Sequence, residues 1–224
     1  MTALLHSLGV PNLAFHDVFS IDEPELLAFV PRPASALLLV FPVSKSYEVH
    51  RIAEDKDRPE YGGSGESEPV IWFRQTIGNS CGLMGVLHAA TNGAARDAIT
   101  EGSTLNRIVK SAIPLKRDAR AQLLYDDPEL EAAHAVAGQE GDTAAPQATD
   151  EVELHYVAFV AANGHLWELD GRRKGPIDRG AIGDGDALSD EALNLGPRKF
   201  IAREMEAGGG EVRFSLVALG PAFD

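Results

Sequence analysis

Cysteine is almost missing from this chain of 224 residues: Cys81 stands alone. No intramolecular disulfide can form, which fits a reducing compartment and leads us to expect a cytoplasmic protein. Long hydrophobic runs are also missing. The longest, Ala34 to Val43, contains Ser35 and Pro42 and is too short to cross a bilayer, so no membrane association is expected. The opening residues carry no basic leader followed by an apolar stretch and cleavage site, and no signal peptide is expected. Positive charge is scarce, 20 Lys and Arg against 34 Asp and Glu, a formal charge of −14. That balance argues against a nucleic-acid partner, because phosphate contacts need a basic face. Acidity of this size either keeps the protein soluble or steers a basic partner toward it. His and Cys do not cluster at metal-binding spacings, so no metal and no cofactor are expected. What is present, 44% hydrophobic residues, is enough to bury a substantial core.

The lone cysteine lies in Gln75-Thr-Ile-Gly-Asn-Ser-Cys-Gly82, just ahead of Leu83-Met-Gly-Val-Leu-His-Ala-Ala90. The second segment reads as a buried helix with small residues at 82, 85 and 89. Asn79 and Ser80 are preferred N-cap types, which puts Cys81 in the first helical turn. Free amide N–H groups and the positive end of the helix dipole favour a thiolate there. Gln75 supplies a side-chain amide close by in sequence. A nucleophile, backbone donors and an amide are the parts of an oxyanion hole for acyl transfer. Taken alone, the cysteine reads equally well as a small buried hydrophobe.

Elsewhere the pattern alternates between short helices and strands. Residues 2–8 read as a helix, 15–21 as a short strand and 22–30 as a helix with proline in its first turn. Ala36 to Val43 is a continuous apolar run of strand length, expected to be central and buried on both faces. Residues 54–69 read as an exposed loop and Val70 to Phe73 as an extended entry to Gln75. Helices are expected over 101–112 and over 115–138 with a break near Asp127-Pro128. The Gly-, Ala- and acid-rich run around 138–151 has little to bury and reads as a lid or binding loop. A helix over 198–205 and a strand over 212–219 complete the pattern.

Glu151 to Gly171 is the second informative stretch. Asn163-Gly164 between two apolar segments predicts a two-residue hairpin turn. Paired positions then sum to 327, and His155, Val157, Phe159, Glu168, Asp170 and Arg172 share one face. The other face, with Tyr156, Ala158, Val160, Trp167 and Leu169, reads as core. His155 and Asp170 become diagonal neighbours with Cβ atoms within about 7–8 Å, close enough for a carboxylate to hold the imidazole. His88 reads as packed or capping inside the cysteine helix. His6, His16, His50, His134 and His165 lack a suitably placed carboxylate. On its own, His155 reads equally as a satisfied structural histidine.

Gln75, Cys81, His155 and Asp170 stand 6, 74 and 15 positions apart. With that order and spacing the chain resembles the ubiquitin carboxyl-terminal hydrolases, papain-like deubiquitinating enzymes of peptidase family C12, in their small free-standing form. The resemblance is carried by Leu8-Gly-Val10, Val30-Pro-Arg-Pro33, Leu37 to Pro42, the Gln75 to Gly82 block, Leu169-Asp-Gly-Arg172 and Glu211 to Leu219. It implies an α/β (α+β) fold around a papain-like core, with a central, mostly antiparallel sheet wrapped by helices and a knotted backbone. It also implies one catalytic domain over 1–224, with a crossover loop at 138–151 that restricts substrates to small or unfolded adducts. Cys81 would be the nucleophile, His155 the base and then acid, Asp170 its orienter and Gln75 the oxyanion donor. Val212 and Phe214 match positions that touch ubiquitin. Leu83 and Tyr156 depart from the family's usual threonine and phenylalanine. The implied partner is ubiquitin, acted on by a monomer. The alternatives are a hydrolase of another ubiquitin-like modifier or a non-catalytic ubiquitin-binding module.

Overall fold

The computed structural model describes residues 1–78, 80–139, 154–206 and 213–223. In chain order the elements are α1 (Thr2–Ser7), β1 (Leu13–Asp17), α2 (Pro24–Leu27), β2 (Ala36–Pro42), α3 (Lys45–Asp55), α4 (Cys81–Ala90), α5 (Gly93–Asp97) and α6 (Thr104–Ala112). They continue with α7 (Arg117–Tyr125), α8 (Pro128–Gln139), β3 (Leu154–Ala162), β4 (His165–Leu169), β5 (Ile177–Ala181), α9 (Asp190–Leu195), α10 (Pro197–Glu206) and β6 (Ser215–Pro221). The expected crossover loop lies outside the described residues except for 138 and 139, which end α8, and Val212 lies outside them as well.

Six strands form one sheet in the order β1-β6-β2-β3-β4-β5, and every neighbouring pair is antiparallel. The apolar run 36–42 is central, as its lack of alternation predicts. It pairs with β6 on one side and β3 on the other. Side-chain alternation then divides two hydrophobic cores. Leu38, Ala158, Val160 and Leu169 face a core that includes Leu5 of α1, Val86 and Leu87 of α4 and Ile108 of α6. Leu37, Leu39, Phe41, Val157 and Phe159 face a second core closed by Tyr47 of α3, Leu193 of α9 and Phe200 of α10.

The face of β3 that carries His155 is covered as well: Val157 and Phe159 on it are fully buried. Four further elements went unread: α3, α5, β5 and α9. Residues 45–55 form α3, whose N-cap hydroxyl, Ser44, accepts from the Tyr47 backbone N–H at 2.8 Å. Residues 177–181 form β5. Residues 70–73, by contrast, are buried but join no strand.

The hairpin register is the predicted one. Ala162 pairs with His165, Phe159 with Glu168 and Ala158 with Leu169. Asn163 and Gly164 have φ of 54° and 74°, the positive values that a type I′ turn demands.

Candidate active site

The cysteine helix is apolar on all sides and, apart from Gly82, buried along its whole length, as expected for a helix running through a core. It packs on β3 and β2 through its small residues. A Cβ on Gly85 would touch Leu38 at 3.4 Å and Tyr156 at 3.5 Å, so the sheet sits directly against the helix backbone. Cys81 is the first residue of α4, with Ser80 as N-cap. The expected side-chain cap is not made. Ser80 Oγ donates to the Ile77 carbonyl at 2.8 Å, tightening the loop ahead of the helix. Among the described residues no side chain is seen to cap the first turn.

Tertiary packing brings the cysteine to the hairpin. Cys81 Sγ lies 3.6 Å from the Leu154 carbonyl, which accepts its thiol proton, and the next residue of that strand is His155, whose basicity the nearby sulfur helps to raise. The other side of that ring is held by Asp170, with Nε2 donating to Oδ1 at 2.9 Å. Nε2 being occupied leaves Nδ1 for the sulfur. His155 is 3% exposed and Asp170 is fully buried. The predicted diagonal pair is thus formed, and it meets the lone cysteine.

Burial works against a charged His155, but the Asp170 charge and hydrogen bond, helped by Cys81, outweigh it and raise the imidazole to about 9. Burial likewise pushes the Asp170 carboxyl up. His155 and two further donors reverse this and hold it well below the usual carboxylate range. Those donors are Tyr47 Oη, on Oδ2 at 2.5 Å, and the Arg172 backbone N–H, on Oδ1 at 2.9 Å. Desolvation and the adjacent carboxylate push the Tyr47 phenol far above its ordinary value, so it stays a donor. Tyr47 also walls the imidazole together with Phe41, both ring centres lying 5.8 Å from it.

Tyr47 is the site residue that the sequence reading missed. Its position depends on a chain of contacts. Ser44 caps α3 through the Tyr47 amide, and the Ser44 hydroxyl donates at 2.5 Å to Glu204, buried on α10. At its other end α3 is tied down by buried ion pairs of Glu54 and Asp55 with Arg173 at 2.9 Å and 3.4 Å. Arg173 also meets Glu168 of β4 at 2.9 Å. A serine two residues after the end of an apolar strand, followed by Tyr and Glu, is a capped helix start that could have been read.

Gln75 is held by its backbone. The segment before it is pinned by Asn92, which accepts from Ile71 N–H at 2.6 Å and donates to the Ile71 carbonyl at 2.9 Å. His88 Nε2 accepts from the Phe73 amide at 3.1 Å. Trp72 Nε1 donates to the Asp170 carbonyl, and Gln75 N–H to the Gly171 carbonyl at 2.9 Å. A Cβ on Gly171 would lie 2.8 Å from Gln75 Cβ and 2.9 Å from its backbone nitrogen. The close approach of these two segments therefore requires glycine. The Gln75 side-chain nitrogen has only a long contact, 3.5 Å, to the Ile77 carbonyl, and its buried oxygen has no partner among the described residues. The amide remains available to a ligand.

Burial keeps His88 neutral, at about 4, and the accepted Phe73 hydrogen bond requires a free lone pair on Nε2. It is structural, as expected. One expectation about histidines fails: His165 does have a carboxylate, Asp178, 2.9 Å from Nδ1. Asp178 belongs to the unread strand β5, and the pair is exposed. Among the described residues no group of three or more potential ligands could hold a metal ion, and no helix is long and apolar enough to cross a membrane.

A thiol at a helix N-terminus next to a strand whose imidazole is held by a buried carboxylate is the arrangement of a papain-like thiol hydrolase site. Comparison with known proteins narrows the class. Residues 1–202 match the family model of ubiquitin carboxyl-terminal hydrolase, family 1. Ubiquitin carboxyl-terminal hydrolase 3 of Arabidopsis thaliana is 36% identical over 221 residues, covering 98% of this chain and 89% of the relative. Human ubiquitin carboxyl-terminal hydrolase isozyme L1 is 37% identical over 220 residues, covering 98% and 93%. The fold matches the Trichinella spiralis UCH37 catalytic domain bound to ubiquitin vinyl methyl ester, with a TM-score of 0.72 at 21% identity, over 99% of this chain and 91% of that one. The chain belongs to the ubiquitin carboxyl-terminal hydrolase family and is an enzyme of the cysteine type.

Proposed function

We propose that this chain hydrolyses the bond after the C-terminal glycine of ubiquitin, using Cys81, His155, Asp170 and Gln75. The observation that carries the reading is that the chain's only thiol contacts the strand residue before His155, an imidazole whose Nε2 is fixed by a buried carboxylate. An imidazolium next to sulfur is the partner a thiolate nucleophile needs.

In this reading Cys81 Sγ attacks the glycine carbonyl. The Cys81 backbone N–H and the Gln75 amide receive the oxyanion, and His155 gives its proton to the leaving amine. His155 then takes a proton from water, which attacks the thioester and frees the ubiquitin carboxylate. Asp170 holds the ring and stabilises its charged form throughout. The ubiquitin tail is basic and ends in two glycines, which suits an acidic protein with a narrow cleft. In this reading Phe214, half-buried just before β6, would touch the folded part of ubiquitin.

The test is an electrophilic ubiquitin probe followed by location of the modified residue. Labelling at Cys81, and loss of turnover with retained ubiquitin binding in Cys81→Ala, are the expected results. Hydrolysis persisting in Cys81→Ala would reject the nucleophile. Ubiquitin that binds without labelling would favour a non-catalytic module, and faster reaction with another modifier's probe would change the substrate.

A further inference from the structure

Beside the site lies a pocket of about 310 Å³ lined by Arg51, Ile52, Asp55, Lys56, Glu60, Arg74, Arg172, Arg173 and Lys174. Six of the nine are basic, in a chain whose formal charge is −14. Their charge is only partly matched. Arg51 and Arg172 share one carboxylate, Glu48, at 2.7 Å and 2.8 Å. Arg74 reaches Asp118 at 3.3 Å, but Arg117 already takes that carboxylate at 2.9 Å. Arg117 also pairs with Glu60, removing one of the two acids in the lining. Among the described residues Lys174 Nζ donates only to the carbonyls of Lys56 and Arg58, at 3.2 Å and 3.0 Å. Only Arg173 is fully neutralised, by the buried network behind it.

The pocket wall is continuous with the catalytic residues. Arg74 precedes Gln75, and Arg172 follows Asp170 by two residues, its amide on Asp170 Oδ1 and its guanidinium 5.9 Å from the centre of the Tyr47 ring. Strand order decides which part of a substrate arrives here. His155 is on β3. Phe214 lies just before β6, on the β2 side of β3, whereas Asp170 and Arg172 to Lys174 follow β4, on the opposite side. A substrate with its ubiquitin part toward β6 sends the group beyond the scissile bond toward this pocket. The basic ubiquitin tail would itself be repelled from it.

We propose that this pocket is a leaving-group subsite that receives a carboxylate carried within the first few residues after the scissile bond. The inference rests on the proposed ubiquitin hydrolase reading. Lys56 is exposed and Arg74 is half exposed, so each contact is worth a few-fold and several together about five- to tenfold.

The test compares ubiquitin fused to a peptide with Asp-Glu at its second and third positions against one with Lys-Lys there. Ubiquitin aminomethylcoumarin amide, which has no charged leaving peptide, is the reference. The wild-type chain should cleave the acidic fusion with about five- to tenfold higher kcat/KM, and added salt should erase the difference. Lys56→Glu and Lys56→Glu/Arg74→Glu should lower or invert the ratio while leaving the coumarin amide within about twofold. A wild-type ratio of one with normal coumarin release would overturn the subsite and leave the hydrolase reading standing. A preference undiminished in both variants would also overturn it. Failure to release coumarin would reject the hydrolase reading and the subsite with it.

Discussion

Tyr47 and His155 divide one carboxylate between them: the phenol donates to Oδ2 of Asp170 at 2.5 Å and the imidazole to Oδ1 at 2.9 Å. The residue that orients the imidazole is thus itself oriented by a residue from α3, which packs against the hairpin on the side away from the cysteine helix. Placing Cys81, His155 and Asp170 in line takes contacts from both cores.

Replacing Tyr47 with Phe leaves a fully buried carboxylate oxygen without its donor. Losing a hydrogen bond to a charged group costs about 1.5–3 kcal/mol, read as a lower denaturant midpoint at unchanged m. We expect kcat to fall about tenfold with KM little changed, because Tyr47 reaches substrate only through Asp170 and His155. In an Asp170→Asn background the same replacement should cost less than about twofold. Equal losses in both backgrounds would place Tyr47 on a different path.

Gly171→Ala tests how tightly the Gln75 segment is fitted. The added Cβ would sit 2.8 Å from Gln75 Cβ and 2.9 Å from its nitrogen, so the backbone must move. Removing one oxyanion donor costs about 10²–10³ in kcat, and Gly171→Ala should approach the loss seen in Gln75→Ala. A variant within about threefold of wild type would mean that the segment yields without moving the amide.

The charged form of His155 is favoured in the fold, with a value of about 9 against an ordinary 6.5. The contacts responsible act fully below 6.5 and disappear as pH rises through about 9. A pH profile of kcat/KM should therefore hold to near pH 9 before its alkaline limb. Asp170→Asn removes the main cause, and the limb should move down by about a unit or more. A limb that stays in place would assign it to another group.

His88 has the opposite sign. Burial lowers it to about 4, so the fold favours the neutral ring. Its contribution to stability is complete above 6.5 and is lost as pH falls toward 4. His88→Leu should cost about 1–3 kcal/mol at neutral pH by orphaning the Phe73 amide, and should flatten the decline of Tm between pH 6.5 and 4. The alkaline limb of the activity profile should not move if, as proposed, it reports His155.

Legibility in the sequence followed the range of the forces involved. Asn163-Gly164 set a turn and thereby the register of β3 on β4, so the His155–Asp170 diagonal could be derived from counting alone. The buried helix behind Cys81 was readable from its small and apolar residues. What covers the face carrying His155 was not readable, because alternation along a strand says nothing about what later packs on it; Tyr47, Leu193 and Phe200 do so from other parts of the chain. The His165–Asp178 pair was missed for the same reason, its acid lying on a strand too short and glycine-bearing to stand out.

The amino-acid order alone determined the turn, the strand register, the cysteine helix and the pairing of imidazole with acid, since each rests on neighbours a few residues apart. Only the tertiary structure decided that Cys81 meets His155, that Tyr47 takes the second carboxylate oxygen, and that Gly171 admits Gln75. Those contacts join residues that two packed cores bring together, and their geometry exists only once both cores are closed.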